Sequence, residues 1–198
     1  GVWREYEQSM HDYYERLERL EADAARQAER DAEALRKAEE RRHAERMRNA
    51  EAEARAARAS VNEAQARLDA AKSYAEKAWG FYRDRDALAS HNADVDADIE
   101  ARKRYERERE AVTDGRYADK FRELRRIARD DGTDAVEARL AEWRRRKSIS
   151  LDTEATMRVA LSENEQKEAM RNLQRAAEAA EATRDAVEEI AKELQEEA

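Results

Sequence analysis

Apolar residues recur at alternating steps of three and four positions through the second quarter of the chain. Most of them are alanines, and the residues between them are mostly charged or polar. This spacing keeps one face of a helix against a partner helix, so it predicts a coiled-coil arm. We call the set the alanine seam: Met47, Ala50, Ala54, Ala57, Val61, Ala64, Leu68, Ala71, Ala75, Ala78 and Tyr82.

A second seam with the same spacing lies at the start of the chain and is far more aromatic. The stretch around 29–46 that separates the two seams is poor in apolar positions, because the register meets Arg36, Glu40 and His43. It carries pairs such as Glu33 and Lys37, which support an isolated helix by about 0.2–0.5 kcal/mol each. The sequence therefore predicts a charged helical extension over 1–46. Its aromatic seam consists of Trp3, Tyr6, Met10, Tyr13, Leu17 and Leu20.

Glycine marks two turns in the middle of the chain. "TDG" at 113–115 and "DDGTD" at 130–134 favour turns, since glycine accepts positive φ cheaply. The residues between them predict a short helix, and Asp134 with Glu137 resembles a capping box that opens another. Three weaker signals remain. Gly80 could lie inside a helix, "SHNAD" at 90–94 predicts a turn, and "KSISLD" at 147–152 predicts a kink.

If these turns form a tip, the chain folds back near residue 123. The residue numbers of two residues that face each other across the hairpin then add up to a nearly constant value. Five apolar pairs have sums between 245 and 248. We therefore predict an all-α fold, a long antiparallel coiled-coil helical hairpin with a short helical tip. The expected boundaries are an ascending arm over 47–113, a tip over 114–133 and a descending arm over 134–198. The pairs are Val61 with Val187, Tyr74 with Leu173, Leu88 with Met157, Val95 with Leu151, and Tyr105 with Leu140.

Composition supports long helices and excludes several function classes. The 198 residues include no proline, four glycines and 44% charged residues, and alanine buries too little area for a thick core. The absence of cysteine excludes disulfides, thiol catalysis and Cys-based zinc sites. No apolar stretch approaches the roughly 18 residues of a membrane span, and the first residues lack the apolar core of a signal peptide. Nothing in the sequence therefore directs conventional export or membrane insertion.

No arrangement of residues predicts catalysis. His11, His43 and His91 each stand alone among polar residues, which is typical of a helix surface. The run "DVDAD" at 94–98 lacks the glycine and final glutamate of a calcium loop. No glycine-rich phosphate loop or nucleophile motif occurs. We expect no enzyme activity, metal, cofactor or small-molecule substrate.

The charge distribution identifies candidate contact surfaces. The net charge is −8, yet residues 116–147 hold eleven bases and seven acids, which is +4. Two interpretations of the tip remain open: a small cap that packs Phe121 and Ile127 against the arm ends, or a contact surface, since arginine and aromatic residues are enriched at interface hot spots. The candidate tip residues are Arg116, Tyr117, Phe121, Arg122, Arg125 and Arg126.

A secondary interface is also possible at two other places. "WRRRKS" at 143–148 could bind phosphates or lipid headgroups with Trp143 as an anchor, or could be a solvated helix face around a core tryptophan. The mixed signs of residues 33–60, with eight Arg/Lys and six Glu for a net of +2, argue against nucleic acid. The secondary candidates are Trp3, Tyr6, Met10, Tyr13, Trp143, Arg144 and Arg145.

Residues 57–105 contain several short motifs: "ARA" at 57–59 and "KA" at 77–78, with Asn62, Tyr82, Arg85, Leu88, Asn92 and Ile99. In these motifs and their spacing the stretch resembles the ascending arm of the receptor-binding coiled coil in E-group colicins. It implies a helical hairpin whose tip binds an outer-membrane receptor, in a bacterial protein secreted without a signal peptide and acting at a target cell surface. It also implies that Asn92 lies within the arm. The sequence at 113–134 differs from the glycine- and methionine-containing tip of that family, so no receptor-contacting residue carries over.

Two function classes follow. The leading one is a recognition arm whose partner is a protein receptor. The alternative is a cytoplasmic coiled-coil scaffold or filament protein whose partners are other helices, because the aromatic seam needs a partner that the hairpin does not supply. A third possibility is binding of nucleic acid or anionic membranes through Arg139–Lys147. The overall charge of −8 argues against it.

Overall fold

The regular structure of the described residues is entirely α-helical, as predicted. The computed structural model describes residues 1–90 and 97–197, and its side chains over 1–85 and 98–197. The long N-terminal helix packs against the C-terminal helix, which confirms the all-α helical hairpin. The helices are α1 Val2–Ser90, α2 Ala97–Thr113, α3 Ala118–Asp131, α4 Thr133–Arg145 and α5 Leu151–Glu197.

The contacts divide the chain into two compact units. One is Gly1–Arg55 with Ala182–Ala198, and the other is Ala56–Glu181. In the first, His43 Nε2 lies 2.8 Å from Glu197 Oε2 and Arg46 Nη1 lies 3.1 Å from Glu193 Oε2, so α1 and α5 are antiparallel. In the second, an ion pair of 3.1 Å joins Arg85 Nη2 of α1 to Asp152 Oδ1 of α5.

The alanine seam is the buried face of α1. Every member is buried or half-buried, and most residues between the members are exposed. Leu68 is 3% exposed and Tyr82 is 4% exposed. The aromatic seam differs, because Trp3 is 78% exposed and Tyr6 is 58% exposed. The alanine seam is thus buried as predicted, and the exposure of Trp3 and Tyr6 agrees with the expectation that the hairpin supplies no partner for the aromatic seam.

The predicted register between the arms is wrong by about one heptad. The ion pairs between α1 and α5 give number sums of 240, 239 and 237 instead of 245–248. A seam that repeats every seven residues matches its partner nearly as well after a shift of seven, and alanines do not discriminate between the two registers. These inter-helix ion pairs mark the observed register.

Residues 97–113 do not extend a two-stranded arm. They form α2, a third helix that packs against α1 and α5 through a cluster of buried residues. Tyr105 belongs to this cluster, whereas Leu140 belongs to another, so the predicted pairing of these two residues is wrong. Val95 lies outside the described residues. The cluster of α1, α2 and α5 consists of Ala78, Tyr82, Ala101, Tyr105, Ala155 and Val159.

The glycine turns occur where the sequence predicts them. Gly115 lies between α2 and α3, and Gly132 alone separates α3 from α4, with φ at +89°. Gly80 lies inside α1. The helix predicted between the two turns is α3, and "KSISLD" falls at the break between α4 and α5, where Ser150 Oγ accepts the Thr153 N–H at 3.1 Å. Most of "SHNAD", including Asn92, lies outside the described residues.

The capping box predicted at the start of α4 is absent. The cap position is Gly132, and no side chain there accepts a backbone N–H. Asp134 instead lies within the first turn of α4. The Glu137 carboxylate instead accepts a hydrogen bond from Arg158 Nη2 of α5 at 2.7 Å. A hydrogen bond between two charged groups is stronger than one from the carboxylate to a backbone N–H, so Glu137 pairs with the guanidinium.

A second apolar cluster holds α3 and α4 on α5. Helix α3 contributes Phe121, Leu124 and Ile127 at steps of three, which lie on one helix face. Helix α4 contributes Val136, Leu140 and Trp143. The cluster is completed by Val112 of α2, by Ile149 before α5, and by Met157, Ala160 and Leu161 of α5.

Candidate functional site: the exposed face of α3

Helix α3 is amphipathic, with apolar residues on one face and arginines on the other. The arginines occupy positions i, i+3, i+4 and i+7, so they share one solvent-facing side of the helix. The apolar residues pack into the second cluster and fix the helix in place. We call the exposed set the arginine stripe: Arg122, Arg125, Arg126 and Arg129.

Acidic neighbours compensate only part of the stripe's charge. Arg122 pairs with Asp119, and Arg129 Nε lies 3.2 Å from Asp130 Oδ1. Arg125 Nη2 is 3.9 Å from Glu168 Oε1 of α5. Among the described residues, Arg126 forms no ion pair.

An open surface cleft lies between the stripe and α5. Its volume is about 200 Å³, and its lining consists of the four arginines and Glu168. Four positive charges and one negative charge give this lining a formal charge of +3. The cleft is therefore strongly basic in a chain whose net charge is −8.

The candidate tip residues divide into exposed and buried positions. Arg116, Arg122, Arg125 and Arg126 are exposed, and the Arg116 guanidinium carbon lies 5.4 Å from the centre of the Tyr117 ring. Tyr117 is half-buried against the second cluster, whereas Phe121 is 5% exposed and belongs to it. The cap interpretation therefore describes Phe121, which packs in the second cluster, whereas the contact-surface interpretation of the exposed arginines stays a prediction.

The secondary candidates belong to two different units. Trp143 is a core residue, 6% exposed, with Lys120 Nζ 5.1 Å from its ring centre. The interpretation as an exposed lipid anchor is therefore wrong, and the core-tryptophan interpretation describes it. Arg144 and Arg145 are exposed beside it. The remaining candidates lie on α1 in the other unit, where Met10 is half-buried and Trp3, Tyr6 and Tyr13 are exposed.

Sequence reasoning missed a charged network within the second unit. Glu154 is 1% exposed, and its Oε1 accepts from Arg158 Nη2 at 2.7 Å. The same guanidinium bonds to Glu137, which also accepts from the Tyr74 hydroxyl at 3.3 Å. Burial lowers the pKa of Arg158, but the bond and charge of Glu137 outweigh it and the pKa is raised. Burial, followed by the charge of Glu137, raises the pKa of Tyr74.

A second polar group fixes α2 to its neighbours. The carboxylate of Glu108 accepts from the Tyr82 hydroxyl of α1 at 3.1 Å and from the Thr156 hydroxyl of α5 at 3.0 Å. Arg104 Nε donates to the same carboxylate at 2.9 Å. These contacts position helices and hold no substrate-sized space, because the adjoining cavity is only about 10 Å³.

A larger groove lies between α1, the junction of α3 and α4, and α5. Its volume is about 630 Å³, and alanines such as Ala64, Ala71 and Ala169 form much of its wall. Glu165 Oε1 is buried there without a hydrogen-bond partner. Burial raises the pKa of Glu165, and the charge of Glu168 raises it further.

One acidic group near the N-terminus has spacing compatible with a metal. His11, Asp12 and Glu15 form the single such group in the described part of the chain, and all three are exposed. Exposed neighbours on one helix turn provide no enclosure for an ion. Of the three aspartates in "DVDAD", Asp98 accepts the Trp79 indole N–H at 2.8 Å, and the other two lie outside the described residues, as does His91.

None of the helices in the described residues is both long enough and apolar enough to cross a bilayer. Comparison with protein-family models, curated proteins and solved structures found no match to this chain.

Proposed function

We propose that this chain is a non-enzymatic recognition module that presents the exposed side of α3 to a protein receptor. The observation that carries the proposal is the two-faced construction of α3. One face is fixed in the second apolar cluster, and the other displays four arginines. Arginine and aromatic residues on a rigid support are enriched among residues that dominate binding energy.

The rigidity of α3 supports the proposal. Phe121, Leu124 and Ile127 are 0–7% exposed, and Arg139 Nη1 of α4 pairs with Glu123 Oε1 at 3.0 Å. A surface that is already ordered loses little conformational entropy on binding. Phe121 therefore acts as a support for the surface, and the contact set is Arg116, Tyr117, Arg122, Arg125 and Arg126.

The resemblance to E-group colicins suggests the kind of receptor. It favours an outer-membrane protein of a target bacterium, bound by a secreted bacteriocin-like protein. Two residues that carry the resemblance have structural contacts: Tyr82 bonds to Glu108, and Arg85 pairs with Asp152. They hold the helices that support α3, which is consistent with recognition by the tip.

Charge-matched variants test the proposal. Fluorescently labelled protein is applied to a panel of Gram-negative isolates, and binding is measured by flow cytometry. Replacing Arg116, Arg122 and Arg125 with alanine should weaken binding about 100-fold or more, because hot-spot arginines contribute about 2 kcal/mol or more each. Helicity measured by circular dichroism should not change.

The control removes the same charge from exposed positions on α1. Arg48, Arg55 and Arg58 are exposed and lie outside the proposed surface. Their replacement with alanine should leave cell binding within about twofold of the parent, as expected for surface substitutions. Equal binding by the α3 variant and the parent would exclude α3 as the receptor surface.

A second candidate function is an intracellular scaffold that self-associates through the aromatic seam. It is favoured by the exposure of Trp3, Tyr6 and Tyr13, which are 78%, 58% and 53% exposed. Sedimentation velocity over a hundredfold concentration range should then show oligomers that replacement of Tyr6 and Tyr13 with glutamate abolishes. A monomer at all concentrations would rule out this candidate.

A further inference from the structure

We infer that the arginine stripe and Glu168 form a binding site for a phosphate group. The inference rests in part on the proposed function, because three of the four arginines belong to the proposed contact set. It adds the chemistry of the bound group, and it involves Arg129, which lies outside that set. The two ideas can therefore fail separately.

The size of the cleft favours a small anion. Its volume of about 200 Å³ is below the roughly 300–1,000 Å³ typical of pockets for drug-sized ligands. Its lining carries a formal charge of +3, from four arginines and one glutamate. A compact anion with more than one negative charge matches both properties.

The donor geometry favours phosphate over carboxylate. Each guanidinium presents a planar fork of N–H donors, and the stripe places four of these forks on consecutive turns of one helix. A carboxylate has two acceptor oxygens, whereas a phosphate monoester has three terminal oxygens and can accept from several guanidinium groups at once. Arg126, without an ion pair among the described residues, and Arg125, only loosely paired with Glu168 at 3.9 Å, are the central donors.

The stripe carries a repulsion that an anion would remove. Arg122 and Arg126, and likewise Arg125 and Arg129, are spaced i, i+4 on α3, where like charges destabilise a helix. The acidic neighbours Asp119, Asp130 and Glu168 each compensate a different arginine and leave Arg126 uncompensated. A phosphate between the four side chains would offset the repulsion in the whole stripe.

The test uses the full chain with nitrogen-15-labelled arginine. The arginine Nε–H resonances are followed by NMR during titration with inorganic phosphate, and with sodium chloride at matched ionic strength. We expect saturable shifts of the Arg125, Arg126 and Arg129 resonances with phosphate only. Shifts that chloride reproduces, or that increase linearly without saturation, would overturn the inference.

Paired variants locate the site. Replacing Arg126 and Arg129 with glutamine should weaken phosphate binding about tenfold or more, since charge-assisted hydrogen bonds are the strongest kind. Replacing Arg55 and Arg58 with glutamine removes the same charge from exposed positions of α1 and should leave binding unchanged. If both pairs of substitutions weakened phosphate binding equally, the effect would come from the overall charge, and the proposed site would be overturned.

Two further experiments identify the source of the phosphate and separate the inference from the proposed function. Co-sedimentation with vesicles containing phosphatidic acid, but not with phosphatidylcholine vesicles, would assign a lipid headgroup; saturable binding of inorganic phosphate alone would assign free phosphate. Arg116→Ala should weaken cell binding without affecting phosphate, whereas Arg129→Gln should do the reverse. Phosphate titrations that fail while Arg116→Ala still weakens cell binding would overturn this inference alone.

Discussion

Glu154 is the one carboxylate among the described residues that the fold buries almost completely. It is 1% exposed, and Arg158 balances its charge from one turn further along α5, with Glu137 on the other side of the guanidinium. A buried carboxylate that loses its partner becomes an uncompensated charge at low dielectric. This group of charges therefore joins α4 to α5.

Replacing Arg158 with methionine should lower the free energy of unfolding by about 3–5 kcal/mol at neutral pH. Urea denaturation followed by circular dichroism measures the change. Arg144→Met is the matched control, because Arg144 Nη1 lies 3.5 Å from the other oxygen of Glu154 and its side chain is 47% exposed. We expect the control to cost less than about 1 kcal/mol. Equal losses in the two variants would contradict the role given to Arg158.

Glu165 makes stability depend on pH in a defined direction. Burial and then the charge of Glu168 raise its pKa, while Arg125 lowers it in part. The folded state therefore binds this proton more tightly than the unfolded state, so the associated stability is present at acidic pH and is lost as pH rises through the raised pKa.

Glu165→Gln should consequently raise the thermal unfolding midpoint at neutral pH, because it removes a partly buried negative charge. The difference from the parent should vanish at acidic pH, where the carboxyl is protonated in both states. Glu76→Gln, at an exposed position of α1, should change the midpoint little at either pH. A stabilisation of equal size at both pH values would contradict the assignment.

The sequence predicts some of the helices and their packing, but not all of them. The alanine seam and α3 were predictable because the spacing of apolar residues on one helix determines which face it buries. The packing of α2 beside α1 and α5 was not predictable, since it depends on contacts such as Tyr82 with Tyr105 that are distant in sequence. The arm register was also not predictable, because heptad-spaced alanines allow shifts of seven residues.

The candidate surface was predictable in part for the same reason. Arg122, Arg125 and Arg126 were identified from the sequence, and extending the helical spacing by one turn would have added Arg129. Glu168 could not be found in this way, because only tertiary packing brings α5 to the stripe. Trp143 was ambiguous, since a tryptophan before four basic residues suits a core or an anchor equally well.

Two glycines in different backbone conformations test the helix boundaries. Gly132 has φ at +89°, so alanine there should cost about 1–2 kcal/mol of stability through backbone strain. Gly80 lies inside α1, and a Cβ there would meet nothing within 4 Å. Gly80→Ala should therefore stabilise the protein by about 0.5–1 kcal/mol, because alanine loses less entropy in a helix. Chemical denaturation of both variants should show opposite signs, and the same sign would contradict the assigned boundaries.

The two compact units carry different functional hypotheses. The unit Ala56–Glu181 contains both apolar clusters and the exposed face of α3, which we propose as the receptor surface. The unit formed by Gly1–Arg55 and Ala182–Ala198 contains the exposed aromatic seam, which is the basis of the scaffold alternative. Identifying which of the two units contacts a protein of the target cells therefore distinguishes the two functions.

Site-specific photo-cross-linking makes this measurement most directly. A photoreactive amino acid replaces Asp119 on α3, whose side chain is 90% exposed, and in separate samples Tyr6 or Arg58 on α1. Each protein is illuminated on receptor-bearing bacteria, and adducts are identified by mass spectrometry. We predict one adduct with a surface protein from position 119 and none from positions 6 and 58. Adducts from position 6 without any from position 119 would contradict recognition through α3.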